Sequence, residues 1–427
     1  MNTFTVGVGQ VDITPPFTMP YLGFSPRHQY FRDVHDRLYA RSLYVSDGEN
    51  QAIVISTDTI GLSNSLMGSD HNLTAEIRAA VEHATGVPVS GVMLTSSHAH
   101  SSVETLGIRP LADEPGAASW LDALKNQIAS SAKLARQDAF EAELRVGRGK
   151  VENVSYNRIK KEDFIDQELI VLIFESEAGE KLFVVQFPCH PAIVQAQDLV
   201  SADFVGVVQT QVAQTIDKTK ACLFLQGACG DINPIIHDTA GEFDPSLIVD
   251  TDFQHVSAIG MEIVKEVARV FAQVQSDKPA AHPAIVRTDS RMLSFPSRPL
   301  PDEAETLQIK QKAEDGDAWA EEAVWRIREG DSPFEGEVQR VRIGDTVLVG
   351  IPGEPFSQLG MEIKKRCEPL VGIPVGYANG YLGYIAPPGA WQKGAYGLHC
   401  APVSKVGPES YQMILDALEM LQGSDRK

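Results

Sequence analysis

Short apolar runs recur along the chain at strand length. Residues 52–55, 91–94, 182–185, 222–225 and 346–349 each read as a buried strand. Between them, apolar residues fall at helical spacing over 72–84, 118–135, 252–274 and 357–366. Residues 409–421 read as a closing amphipathic helix. Strands alternating with helices predict an α/β fold. The stretch 301–331 departs from this pattern, with Glu, Lys and Asp interspersed among Ala and Trp. It is expected to form exposed, charged helices inserted on one edge. No Ser/Gly-rich linker, low-complexity tract or fixed-period repeat divides the chain. A single domain over 1–427 is therefore expected.

The polar residues that end these runs carry the chemistry. Residues 53–55 lead into Ser56-Thr57-Asp58, and 91–94 lead to His98 and His100. Residues 184–187 lead into Pro188-Cys189-His190-Pro191, and 223–225 into the segment from Gln226 through Gly230, Asp231 and Asn233. Residues 348–351 lead into Pro352-Gly353-Glu354-Pro355. Ligands of open α/β sheets bind beyond the carboxyl ends of the strands, so these ends are expected to build one cleft. Of the 11 histidines, only His98 and His100 stand two apart. Side chains at that spacing on an extended segment point the same way. Both can then reach one metal ion, or one can bind metal while the other moves protons. Each signal also has a plain structural reading. His98 and His100 can be polar loop residues, His190 a turn residue between prolines, Gly230-Asp231 a tight turn and Glu354 part of a helix start. Together, two or three histidines and a carboxylate form a typical zinc ligand set.

Charge and composition narrow the classes. With 37 basic and 57 acidic residues, the net charge is −20, which argues against nucleic acid and against anionic membrane surfaces. No apolar run approaches membrane-spanning length, and the first residues lack the basic start and apolar core of a secretory signal. The five cysteines form no Cys-x-x-Cys pair, which predicts reduced thiols in a cytoplasmic protein. Cys189 and Cys229 are expected to be small buried hydrophobes. The partner expected is a small-molecule substrate, without stable membrane association. The patterning carries no signal for an oligomeric state.

Ordered landmarks span most of the chain. They are Gly7-Val8-Gly9-Gln10-Val11-Asp12-Ile13-Thr14, Val34-His35-Asp36-Arg37-Leu38-Tyr39-Ala40-Arg41, Ser56-Thr57-Asp58, His98-Ala99-His100-Ser101 and Asn157-Arg158. His190, Ser201-Ala202-Asp203, Gly230-Asp231-Ile232-Asn233-Pro234, Pro352-Gly353-Glu354 and Asn379-Gly380-Tyr381-Leu382-Gly383-Tyr384 follow. In this order they resemble the catalytic domain of the neutral (non-lysosomal) ceramidases, which are zinc amidohydrolases. The resemblance implies mixed β-sheets with flanking helices and an active site at strand C-terminal ends. It implies Zn2+ held by His98, His190, Glu354 and Tyr384. It places His100 and Arg158 on the scissile bond and Tyr396 as a further active-site tyrosine. Arg158 keeps its charge and offers a fork of donors, and His100 can carry a proton to the leaving group. Asp203 is read either as a partner orienting a ligating histidine or as a helix N-cap.

The chain also departs from the family pattern. Asn233 stands where the family has a catalytic serine. An amide is no nucleophile, so Asn233 is expected to bind substrate, and attack by zinc-bound hydroxide replaces serine acylation. The sequence stops soon after Tyr396, so the immunoglobulin-like domain that follows in ceramidases is expected to be absent. These features point to a hydrolase of a small soluble amide, ester or lactone rather than a ceramidase proper. The alternatives are a barrel amidohydrolase or a non-catalytic zinc protein that binds a metabolite. Barrel amidohydrolases place the His-x-His pair on the first strand, whereas about three strands precede it here.

Overall fold

The structure is a computed structural model that describes residues 3–21, 30–108, 111, 114–160, 163–194, 198–235, 253–277, 282–392, 394–395 and 397–423. Its largest element is an eight-stranded mixed sheet. The strand order is Thr219–Gln226, Lys181–Phe187, Glu168–Glu175, Phe140–Lys150, Thr3–Asp12, Tyr39–Ser46, Gln51–Thr57 and Val92–Ser96. The middle of this sheet is antiparallel, and the outermost pair on each side is parallel. Parallel neighbours need a crossover. Helix Leu73–Thr85 supplies it on one side and helix Asp203–Thr215 on the other.

A second sheet repeats this logic. Its order is Val286–Phe295, Phe334–Ile343, Thr346–Gly350 and Val371–Val375. Only the last pair is parallel, and helix Ser357–Cys367 crosses between its strands. Phe4, Val54, Leu172 and Leu223 of the large sheet share a buried cluster with Val341, Leu348 and Ile373 of the small one. Helices Leu73–Thr85 and Ala117–Gln137 cover one part of the large sheet's outer face, and Asp203–Thr215 and Phe253–Ser276 cover another. Helices Ser357–Cys367 and Glu409–Gly423 close the far side of the small sheet.

The large sheet curls until its two edges meet. Ser56 Oγ donates to the Phe224 carbonyl at 2.7 Å, and Gln226 Nε2 donates to the carbonyls of Ser97 (3.2 Å) and Cys189 (2.8 Å). The three parallel pairs thereby bring their C-terminal ends to one place. Helix Ala117–Gln137 lies so close on strand Thr3–Asp12 that a Cβ on Gly7 or Gly9 would sit about 2 Å from a helix carbonyl. That packing requires glycine at both positions.

The segment 301–331 folds as helices Glu303–Glu314 and Ala318–Glu329. It interrupts the connection between two antiparallel neighbours, Val286–Phe295 and Phe334–Ile343. The first helix buries no residue. The second corrects the expectation of a merely solvated face. Its Arg326 is fully buried and donates to the Gly330 and Lys405 carbonyls and to Ser297 Oγ. A charge run in sequence does not show which cations find carbonyl partners inside. No helix among the described residues is long and apolar enough to cross a membrane.

Candidate active site

Five of the six C-terminal ends of these parallel pairs place a side chain in one buried cluster. His98 and His100 follow Val92–Ser96, and His190 follows Lys181–Phe187. Asn233 lies beyond Thr219–Gln226, Glu354 beyond Thr346–Gly350, and Tyr377, Tyr381 and Tyr384 beyond Val371–Val375. The sixth end, Gln51–Thr57, runs on to Ile60, whose carbonyl takes part as well. Arg158 enters from strand Ser155–Asn157, which pairs with Ile232–Pro234.

Backbone carbonyls orient the imidazoles. His98 Nδ1 lies 2.5 Å from the Ile60 carbonyl, and His190 Nδ1 lies 3.0 Å from that of Ile232. A carbonyl can only accept, so each Nδ1 carries the hydrogen and each Nε2 keeps its lone pair. His98 adopts a left-handed backbone (φ 69°), a conformation that a non-glycine residue holds only where its surroundings enforce it. Both Nε2 atoms face Glu354 Oε2, at 3.6 Å from His98 and 3.2 Å from His190. His100 Nε2 lies 3.2 Å from His98 Nε2. One donor atom from each of His98, His100 and His190 falls within 4.8 Å of the others. Such a convergence of acceptors is unfavourable unless a cation or shared protons sit among them. The donor set therefore fits a metal ion.

The protonation states agree. Burial opposes ionisation of Glu354, but His98, His190 and Arg158 outweigh it and hold the carboxyl down to about 2. Burial pushes His98 down to about 3, with Glu354 opposing and His190 and Arg158 adding. Burial also lowers His190, helped by Arg158. At neutral pH the cluster offers a carboxylate and neutral imidazoles, the forms that bind metal.

Arg158 is committed within the protein. Its Nε and one terminal nitrogen donate to the Gly230 carbonyl, and the same nitrogen donates to the Tyr384 hydroxyl oxygen at 2.7 Å. The other terminal nitrogen lies 3.4 Å from Asn233 Oδ1. Asn233 also hydrogen-bonds Tyr156, whose phenol is raised chiefly by burial. The Tyr384 ring is clamped. Phe356 meets it edge-on at 6.1 Å, and a Cβ on Gly397 (φ 80°) would sit 2.4 Å from the ring. Tyr396 lies outside the described residues. Phe356 also lines an apolar cleft of about 740 Å³, together with Ile159, Phe164, Met361 and Pro387.

Two residues of this cluster escape sequence reasoning. The Tyr381 hydroxyl donates to Glu354 Oε1 at 2.5 Å, and the Tyr377 hydroxyl donates to Oε2 at 3.3 Å. The Tyr377 ring stacks on His98 at 4.1 Å. Burial and the nearby Glu354 charge push both phenols well above their ordinary value, so both remain donors. A signal existed in the density of tyrosines over 377–384, but aromatic residues in apolar company read as core.

Asp203 departs from both of its expected roles. Its carboxylate accepts from the backbone N–H groups of Ile193, Val194 and Phe204 and touches no imidazole. It braces the loop after His190. All five cysteines are free. Burial raises the Cys189 and Cys229 thiols, as suits small buried hydrophobes.

Comparisons with known proteins agree with this architecture. The profile described as neutral/alkaline non-lysosomal ceramidase, N-terminal, matches residues 4–247, which include His98, His100, Arg158, His190 and Asn233. The fold is similar to that of neutral ceramidase from Pseudomonas aeruginosa, with a TM-score of 0.75 at 18% identity over 99% of this chain and 75% of that one. It is also similar to a ceramidase complexed with C2, with a TM-score of 0.74 at 17% identity over the same shares. Built on that α/β fold and matched by that profile over more than half its length, the chain belongs to the neutral/alkaline non-lysosomal ceramidase family.

Proposed function

We propose that this protein is a zinc-dependent hydrolase of a small N-acyl compound, with a small ester or lactone as the neighbouring substrate class. The observation that carries the reading is the convergence of His98 Nε2 and His190 Nε2 on Glu354 Oε2, with both Nδ1 atoms tied to carbonyls. His98, His190, Glu354 and Tyr384 would hold the ion. When bound, the metal supplies Lewis acidity and lowers the pKa of a coordinated water to about 7.

The remaining roles belong to this chain's own residues. Arg158 anchors the Tyr384 oxygen and keeps a positive charge beside the position of a scissile carbonyl, where negative charge develops during attack. His100, at the rim of the imidazole cluster, carries a proton to the leaving group. Asn233 orients the substrate and Arg158 through its amide, since it cannot attack. The net charge of −20 supports a small-molecule substrate over nucleic acid or an anionic membrane.

The test is metal analysis of the purified protein, followed by hydrolysis assays. The panel holds N-acyl amino alcohols of short and medium chain length, matched esters and lactones. Bound zinc with turnover of at least one class is the expected result. Protein that neither retains nor takes up zinc overturns the reading, as does zinc-loaded protein inert on the whole panel. The 3.2 Å approach of His100 to His98 favours one variant of the ligand set, in which His100 is a third imidazole ligand. His100→Ala separates the two. Metal retained with activity lost supports the proton role, and metal lost supports ligation.

A further inference from the structure

A carboxylate has two oxygens, and the pair offered to a metal decides which ions fit. In Glu354 the two differ sharply. Oε1 accepts the Tyr381 hydroxyl at 2.5 Å. Oε2 faces His190 Nε2 and His98 Nε2 and has only the longer 3.3 Å contact from Tyr377.

This asymmetry is built rigidly. Tyr377 and Tyr381 are each 2% exposed, and their rings lie within 9° of parallel at 6.5 Å. Tyr377 is further fixed by its stack on His98 and by a left-handed backbone (φ 55°). Asn379 pins the loop between the two tyrosines. Its N–H donates to the Leu94 carbonyl, and its Oδ1 accepts from the Leu94 N–H. Glu354 therefore cannot rotate to present both oxygens without breaking its shortest hydrogen bond.

Manganese suits carboxylate, carbonyl and water oxygens in octahedral shells, where a second carboxylate oxygen can fill a position, whereas zinc is satisfied by four ligands in a tetrahedron. We propose that Tyr381, with Tyr377 as the weaker partner, is a positioning and metal-selecting residue that leaves Glu354 a single coordinating oxygen, Oε2, and so favours zinc over manganese. This rests on the metal reading of the site given above.

The experiment titrates Zn2+ and Mn2+ into the metal-free full chain against a chromogenic chelator. Wild type, Tyr381→Phe, Tyr377→Phe and Glu354→Gln are compared, with thermal unfolding of each metal-free protein as the folding control. Outer partners of metal ligands are worth about 10–100-fold in affinity. Tyr381→Phe is expected to lose zinc affinity in that range while manganese affinity holds, so that the preference narrows. Tyr377→Phe is expected to lose less. An unchanged preference in folded Tyr381→Phe, with zinc affinity lost in Glu354→Gln, overturns the selecting role and leaves the site reading intact. Unchanged zinc affinity in Glu354→Gln overturns the site reading itself. A zinc-loaded wild-type structure gives a check without substitutions. Coordination through Oε2 alone supports the proposal, and both oxygens on the metal overturn it.

Discussion

Glu354 and Asp203 are both buried carboxylates near the mouths of parallel strand pairs, and their neighbours drive them in opposite directions. Burial opposes the charge of Glu354, but His98, His190 and the Arg158 guanidinium hold it down to about 2. Asp203 has three backbone N–H partners and the Asp36 carboxylate nearby, and burial wins, raising it to about 6. The difference lies in charge. Backbone amides supply hydrogen bonds without net charge, so they offset only part of the cost of burying an anion. Around Glu354 a cation is present and acceptors converge, which is an arrangement for ligand chemistry. Around Asp203 the same functional group serves as a pin for the chain three and four residues after His190.

The largest expected effect breaks the Glu354 side. Outer partners of ligands are worth about 10–100-fold, so losing the carboxylate charge in Glu354→Gln should lower zinc affinity by more than about 100-fold. Equilibrium dialysis reads it directly, and near wild-type affinity would make Glu354 no more of a ligand than Asp203. Asp203→Ala should act differently. It leaves three buried N–H groups without an acceptor, at about 1–3 kcal/mol each, partly offset by removal of a buried charge. A net loss of about 3 kcal/mol in urea unfolding at neutral pH is expected, with the folded fraction still binding stoichiometric zinc. Zinc lost without destabilisation would place Asp203 in the metal site after all.

How much of this was legible in the sequence follows from the same contrast. His98, His190 and Glu354 stand out because ionisable residues directly follow apolar runs, and those runs proved to be strands of the three parallel pairs. Tyr377 and Tyr381 were hidden because their hydroxyls matter and their rings look like core. Asp203 takes neither expected role because its partners are backbone N–H groups, which leave no trace in residue identity. Strands Thr3–Asp12, Phe140–Lys150 and Val286–Phe295 carry no continuous apolar run to mark them. They mix Thr, Gly and charged residues, and their strand character comes from pairing and from the helix lying on Gly7 and Gly9.

The opposite shifts also predict opposite pH dependence in metal-free protein. For Glu354 the folded value lies below the ordinary 4.5, so its stabilisation is present above that value and is lost as pH falls through 4.5 toward 2. For Asp203 the folded value lies above the ordinary 3.8, so the native state binds the extra proton and stability falls as pH rises through that window toward 6. Against Asp203→Asn, which does not titrate, wild type should lose about 2 kcal/mol between about pH 4.5 and about pH 7. Parallel pH curves for the two proteins would show that burial does not raise Asp203, and the contrast with Glu354 would lose its basis.

The smallest effect sharpens the contrast by changing a single charge. Asp36 adds to the raising of Asp203, but its side chain is 35% exposed, so water screens its field. In Asp36→Asn the remaining Oδ1 can still accept from the Ala202 N–H, and the new amide can donate to Ser201 Oγ, a hydroxyl able to accept. The bonds to Ala202 and Ser201 then survive while the like charge, and with it the exposed contact of Oδ2 with His35 Nδ1, is lost. Stability at neutral pH should rise by about 0.2–1 kcal/mol, the scale of partly exposed charge pairs. The gain should shrink in the Asp203→Asn background, where the Asp203 anion is gone and the Asp58 carboxylate remains for Asp36 to repel. A gain of equal size in both backgrounds would mean that Asp36 acts on the fold independently of Asp203. In that case burial alone, without help from a like charge, separates Asp203 from Glu354.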